Sequence, residues 1–120
     1  MVEGVGPVTE GLPALRILLV EDDADDVALF GALLARVAPM CDFDSVSDPD
    51  EARQRLHGQG YHLCFFDYDL GVGTGLELLR AVRADGFDRP IIMLTGQGDE
   101  RVAAETMKAG ANDYMTKRGL

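Results

Sequence analysis

Acidic, hydroxyl and basic side chains recur just where short apolar runs stop. Glu21, Asp22 and Asp23 follow LRILLV; Asp67 follows YHLCFF, with Asp69 two places on; Thr95 closes PIIMLT; Lys117 follows NDYMT. If these run ends meet, several carboxylates crowd together, repel one another and raise their own pKa values unless a cation intervenes. Hard oxygen ligands that leave room for water suit Mg2+. A bound Mg2+ would offset the negative field and let an anionic phosphoryl group approach Asp67. Asp67 would then act as nucleophile and form an acyl phosphate. Thr95 and Lys117 would hold the phosphoryl oxygens, the lysine as a point charge.

That chemistry depends on elements that bring the run ends to one place. LRILLV (15–20) reads as a strand buried on both faces. ADDVALFGALLARVA (24–38) carries a helical stripe of Val27, Phe30, Leu33, Leu34 and Val37 and stops at Pro39. CDFDSV (41–46) alternates like an edge strand. A second helix starts on an Asp48 cap, with Pro49 at its first position and Glu51 three beyond the cap. Strands at 61–66, 90–95 and 112–116 alternate with helices over 74–84 and from about Gly98 to Gly110. Strands alternating with helices imply crossover units and a mostly parallel, doubly wound sheet. In such sheets function gathers beyond the carboxyl ends of the strands, where strand order reverses. Glu21, Asp22, Asp23, Asp67, Thr95 and Lys117 all fall at that edge.

Other features read as structure. GVGTG (71–75) has the wrong spacing for a dinucleotide fingerprint, and the first strand–helix turn, EDDADD, would repel a phosphate. Its glycines fit a tight loop and a close backbone approach beside Asp67. Asp25, Asp26, Asp48, Asp50, Asp85, Asp88 and Asp99 read as helix caps or loop acids. Cys41 and Cys64 lack metal spacing, and Cys64 lies in an apolar run as a small hydrophobe. His57 fits a helix C-terminus and His62 a strand edge, neither with an evident base beside it. With 21 acidic against 11 basic residues, the formal charge of −10 argues against a nucleic-acid surface. No apolar run approaches the roughly 20 residues that span a bilayer, and a cytoplasmic protein is the expectation. The 120 residues suit one domain over 15–120 behind a flexible lead-in, 1–14, of mixed Gly, Pro and polar residues.

Taken together, these motifs resemble the receiver domain of two-component response regulators over about residues 15–117. ILLVEDD is similar to the family's first-strand acidic motif, and CFFDYDLGVGTGLELL to its phosphoacceptor motif. The resemblance implies a flavodoxin-like, five-stranded parallel sheet in the order 2-1-3-4-5. It implies phosphorylation of Asp67 by a histidine kinase or phosphotransfer protein. It implies Mg2+ held by Asp22, Asp67 and the backbone carbonyl of Asp69, with Glu21 acting indirectly. PIIMLTG makes Thr95 the switching hydroxyl and Gly96 the small residue beside the phosphoryl group. GANDYMTK makes Tyr114 the switch aromatic and Lys117 the phosphate-binding lysine. Asp69 and Gln97 occupy the positions that tune acyl-phosphate lifetime. Catalysis is then limited to self-phosphorylation and self-dephosphorylation, with an output domain or downstream protein as the receiver of the signal.

Gly71 and Arg118 stand where the family has prolines. The family's fifth helix is missing from the sequence, so apolar residues such as Leu18 and Ile92 are expected to lie partly bare. A fragment of a longer protein, or a homodimer covering that face, is the expectation, since Val2, Val5, Val8 and Leu12 offer little cover. FFDYDLG also resembles the D-x-D motif of haloacid-dehalogenase-type phosphatases, with Asp67 as nucleophile and Asp69 as general acid/base. In that class the D-x-D strand comes first and the acidic metal pair follows the lysine, the reverse of the order here.

Overall fold

Each apolar run becomes a strand and each amphipathic stretch a helix in the computed structural model, which describes residues 14–119. The order is β1 (Arg16–Val20), α1 (Ala24–Val37), β2 (Asp42–Val46), α2 (Pro49–Leu56) and β3 (Leu63–Asp67). It continues with α3 (Gly75–Ala84), β4 (Ile91–Thr95), α4 (Glu100–Lys108), β5 (Asp113–Thr116) and a closing 3-10 turn, Lys117–Gly119. The five strands pair in parallel as β2-β1-β3-β4-β5, the expected doubly wound order with β2 at an edge. Residues 1–13, which include most of the expected lead-in and its four apolar side chains, lie outside the described residues.

Side-chain oxygens fix where the helices start. Asp23 accepts from the amides of Asp25 and Asp26, Asp48 from Glu51, and Asp99 from Arg101 and Val102. Thr74 and Glu77 form a reciprocal capping box, so α3 begins at Gly75 and Thr74 is its cap. Asp48 and Pro49 take the expected places. β3 starts two residues later than expected because Tyr61 is turned into the core, its hydroxyl donating to Asp44 Oδ2 at 2.7 Å.

The sheet has two unequal faces. One packs against α2 and α3 and the end of α4, through Leu18, Val20, Phe66, Leu79, Ile91 and Met93. The other carries α1, with Leu19, Phe30 and Leu94 buried and Val27, Leu34, Phe43, Phe65 and Met115 only partly so. Ile92 is partly bare, as expected. Leu18 is not: it is fully buried, because alternation along β1 sends Ile17 and Leu19 to the α1 face and Leu18 to the better covered one. The histidines keep structural roles. His62 Nδ1 accepts from the Arg16 amide at 2.9 Å, and His57 Nε2 lies 3.3 Å from Asp85, a carboxylate neighbour distant in sequence.

Arg83 ties three segments at the end opposite the acidic cluster. Its guanidinium donates to the carbonyls of Phe87, Arg89 and Gly110 and to Asn112 Oδ1, all at 2.8–3.1 Å. The Asn112 side chain in turn accepts from the Ile91 amide at 3.0 Å, fixing where β4 begins. Arg83→Ala should therefore lower unfolding free energy by about 2–3 kcal/mol, measured by urea titration. Arg83→Lys should recover little of it, because an ammonium cannot span a planar fork of acceptors. A wild-type midpoint in the lysine variant would show that charge alone suffices.

Candidate functional site

Strand register explains why distant acids meet. Val20 pairs with Phe66, so Glu21 stands level with Asp67; Asp67 pairs with Leu94, so Thr95 lies one step beyond. Thr95 pairs with Thr116, which delivers Lys117 to the same edge from the first position of the 3-10 turn rather than from the strand itself. An open cleft of about 500 Å3 gathers Glu21, Asp22, Asp67, Asp69, Thr95, Gly96, Gln97 and Lys117. Tyr114 is not among its walls. It sits on β5 opposite Met93, half-buried, its hydroxyl enclosed without a hydrogen-bond partner.

Glycine sets the loop beside Asp67. Gly71 and Gly73 have φ of +76° and +82°, the left-handed region that side chains resist. Asp69 Oδ1 accepts from the Gly71 amide at 3.0 Å, and the Gly75 amide donates to the Tyr68 carbonyl at 2.7 Å. The loop thus folds back on the strand end and holds Asp67, itself 4% exposed, at the floor of the cleft. The Thr95 hydroxyl donates to the Gln97 carbonyl at 3.0 Å, turned along its own loop. Peptide bonds among the described residues are all trans, that before Arg118 included.

Lys117 is the cation at the centre. Its Nζ lies 2.6 Å from Glu21 Oε1, 2.6 Å from Asp26 Oδ2 and 3.3 Å from Asp67 Oδ2. Burial alone would lower the Lys117 pKa, but hydrogen bonds to Asp26 and Glu21 and the nearby charges outweigh it and hold it above the ordinary lysine value. Asp26, read from sequence as a helix-cap or loop acid, is part of this cluster. The signal that could have found it is its phase: it lies in the first turn of the helix that starts at the acidic edge, four residues after Asp22.

Glu21, Asp22 and Asp67 each offer an oxygen within 4.8 Å of the others, a set that fits a divalent cation with oxygen ligands. Burial pushes Glu21 up to about 7, and the adjacent Asp67 adds to the rise while Lys117 opposes it. A carboxylate raised in the folded state favours folding below its unfolded pKa, and that contribution fades as pH climbs through the folded value. Without divalent cation, stability should therefore fall between about pH 4.5 and 7, by on the order of 1–3 kcal/mol. Glu21→Gln should flatten that slope in thermal melts taken in chelator. An equal slope in the variant would place its source elsewhere.

The chain is similar to known signalling proteins along most of its described length. It is 36% identical over 104 residues to the regulatory protein VanRB of Enterococcus faecalis, an alignment covering 87% of this chain and 46% of that protein. The chain spans about half the length of the curated relatives it matches first. A crystal structure of a putative response regulator from Chloroflexus aurantiacus superposes with a TM-score of 0.76 at 31% identity, covering 88% of this chain and 87% of that one. The receiver domain of Saccharomyces cerevisiae Ssk1, crystallised with the histidine phosphotransfer signalling protein Ypd1, gives 0.75 at 26% identity, with 88% and 79% covered. These likenesses leave the dehalogenase-type phosphatase reading without support, in keeping with an acidic cluster that precedes Asp67 instead of following Lys117. The profile of the response regulator receiver domain matches residues 17–119, and the chain belongs to that family.

Proposed function

We propose that Asp67 is the phosphoacceptor of this receiver domain. The observation that carries the reading is the strand-edge register, which sets a nearly buried carboxylate level with Glu21 and within 3.3 Å of the Lys117 ammonium. An Asp67 carboxylate oxygen attacks phosphorus of a phosphohistidine, the P–N bond breaks, and the imidazole leaves with a proton from solvent. Asp22, Asp67 and the Asp69 carbonyl would hold Mg2+, with Glu21 acting indirectly, and the ion would supply positive charge against the phosphoryl oxygens. Lys117 and Thr95 take up those oxygens, and Gly96 leaves them room. Asp69 and Gln97 flank the path of the hydrolytic water and set the lifetime of the acyl phosphate.

Thr95 is free to swing, since its hydroxyl is satisfied only within its own loop. Drawing it toward the phosphoryl group vacates space that Tyr114 can follow into, which reshapes the face of α4 and β5. The donor is a histidine kinase or phosphotransfer protein, a reading supported by the Ssk1 receiver crystallised with Ypd1. The receiver of the signal is an output domain or downstream protein, in keeping with relatives about twice as long as this chain. A cytoplasmic location fits partners of this kind; separately, no described helix is long and apolar enough to cross a membrane.

The test is chemical. Acetyl phosphate with Mg2+ should add one phosphoryl group by intact mass, labile at high pH and absent when Mg2+ is chelated. Mg2+ alone should raise the melting temperature by mass action, and Asp22→Ala should remove most of that rise. No phosphoryl adduct under these conditions would defeat the reading.

A further inference from the structure

We propose that Asp26 is a positioning residue that competes with the incoming phosphoryl group for the Lys117 ammonium. The inference rests on the reading of Asp67 as phosphoacceptor. An ammonium has three protons to donate, and here three carboxylates surround it: Glu21 and Asp26 at 2.6 Å each and Asp67 at 3.3 Å. The ammonium is enclosed by these carboxylates, and its hydrogen bond to Asp26 stands in the way of one to a phosphoryl oxygen. Once Asp67 carries the group, its charge moves outward onto the new oxygens, and Lys117 must follow by releasing a partner.

The two remaining partners differ in what release would cost. The Glu21 side chain is 2% exposed, and stripping its cation would leave a buried carboxylate uncompensated. The Asp26 side chain is 38% exposed and water can replace the lysine there. Asp26 is therefore the partner that lets go. Until it does, it holds the ammonium toward α1, anchored by the helix start where its amide donates to Asp23 Oδ1. Lys117 is the one cation that the described residues bring to it.

Beryllofluoride with Mg2+ serves as a probe, because it mimics a phosphoryl group on a carboxylate without turning over. Its affinity is compared in the wild-type chain, Asp26→Asn and Asp25→Asn. Asp25 is exposed on the same first turn, and removing its carboxylate deletes the same formal charge without touching Lys117. Asp26→Asn should bind the probe about five-fold more tightly, and Asp25→Asn should stay near wild type. A carboxylate that merely supported the fold would give the opposite sign, weaker binding when lost. Equal affinities in the two variants, or weaker binding in Asp26→Asn, would overturn the inference while leaving the phosphoacceptor reading intact. A wild-type chain that does not bind the probe at all would overturn both.

Discussion

Asp67→Asn is expected to abolish phosphoryl incorporation from acetyl phosphate while leaving the domain folded. Asparagine keeps the shape of the side chain but loses the nucleophilic carboxylate oxygen. Loss of chemistry can be separated from loss of structure by the sign of the stability change. Asp67 is one of the groups that lift the Glu21 pKa, so neutralising it relieves like-charge repulsion in a buried cluster. In chelator, the variant should melt no lower than wild type; in Mg2+ it should lose part of the cation's stabilising effect, because one of three converging carboxylates has lost its charge. Intact mass and peptide mapping decide the matter. Stoichiometric labelling of the Asn variant at another residue would remove Asp67 from the role.

How much of this was legible in the sequence depends on what kind of contact is asked about. Residues at strand ends could be read because the doubly wound pattern delivers every carboxyl end to one edge, whatever the details of packing. Asp67, Thr95 and Lys117 meet for that reason. Asp26 was missed because its role rests on helix phase and on the reach of a lysine ninety-one residues away, neither of which composition reveals. Leu18 was assigned to the wrong face for a related reason. LRILLV is apolar nearly throughout, so no polar partner marks which parity points to which side. The α3 start was legible to within one residue because Thr74 and Glu77 carry a local capping signal. Tyr114 could be placed on β5 by pattern, but not its enclosed, unpartnered hydroxyl, which depends on the packing around it.

Gly75→Ala should be the most damaging single-methyl change near the site. Gly75 opens α3 and is buried where the loop after β3 folds back, its amide bonded to the Tyr68 carbonyl at 2.7 Å. A Cβ there would run into the Asp67 carbonyl oxygen, well inside contact distance, with Met93 Sδ at 3.1 Å on another side. Neither neighbour can move freely: the carbonyl belongs to the end of a central strand, and Met93 is fully buried. Overpacking of this kind costs about 3 kcal/mol or more when backbone must give way, which in a domain of this size lowers the melting temperature by on the order of 10 °C. The strain also falls on the proposed function, since the atom pushed belongs to Asp67, the proposed phosphoacceptor. Phosphorylation by acetyl phosphate should slow even at temperatures where the variant stays folded, because Asp67 would shift against Lys117 and the acidic cluster. Gly58→Ala supplies the control. Gly58 has open space around its missing Cβ and no left-handed φ, so its substitution should change stability by no more than about 0.5 kcal/mol. Matching melts and matching phosphorylation rates for the two variants would mean that the close approach beneath Asp67 does not constrain the site.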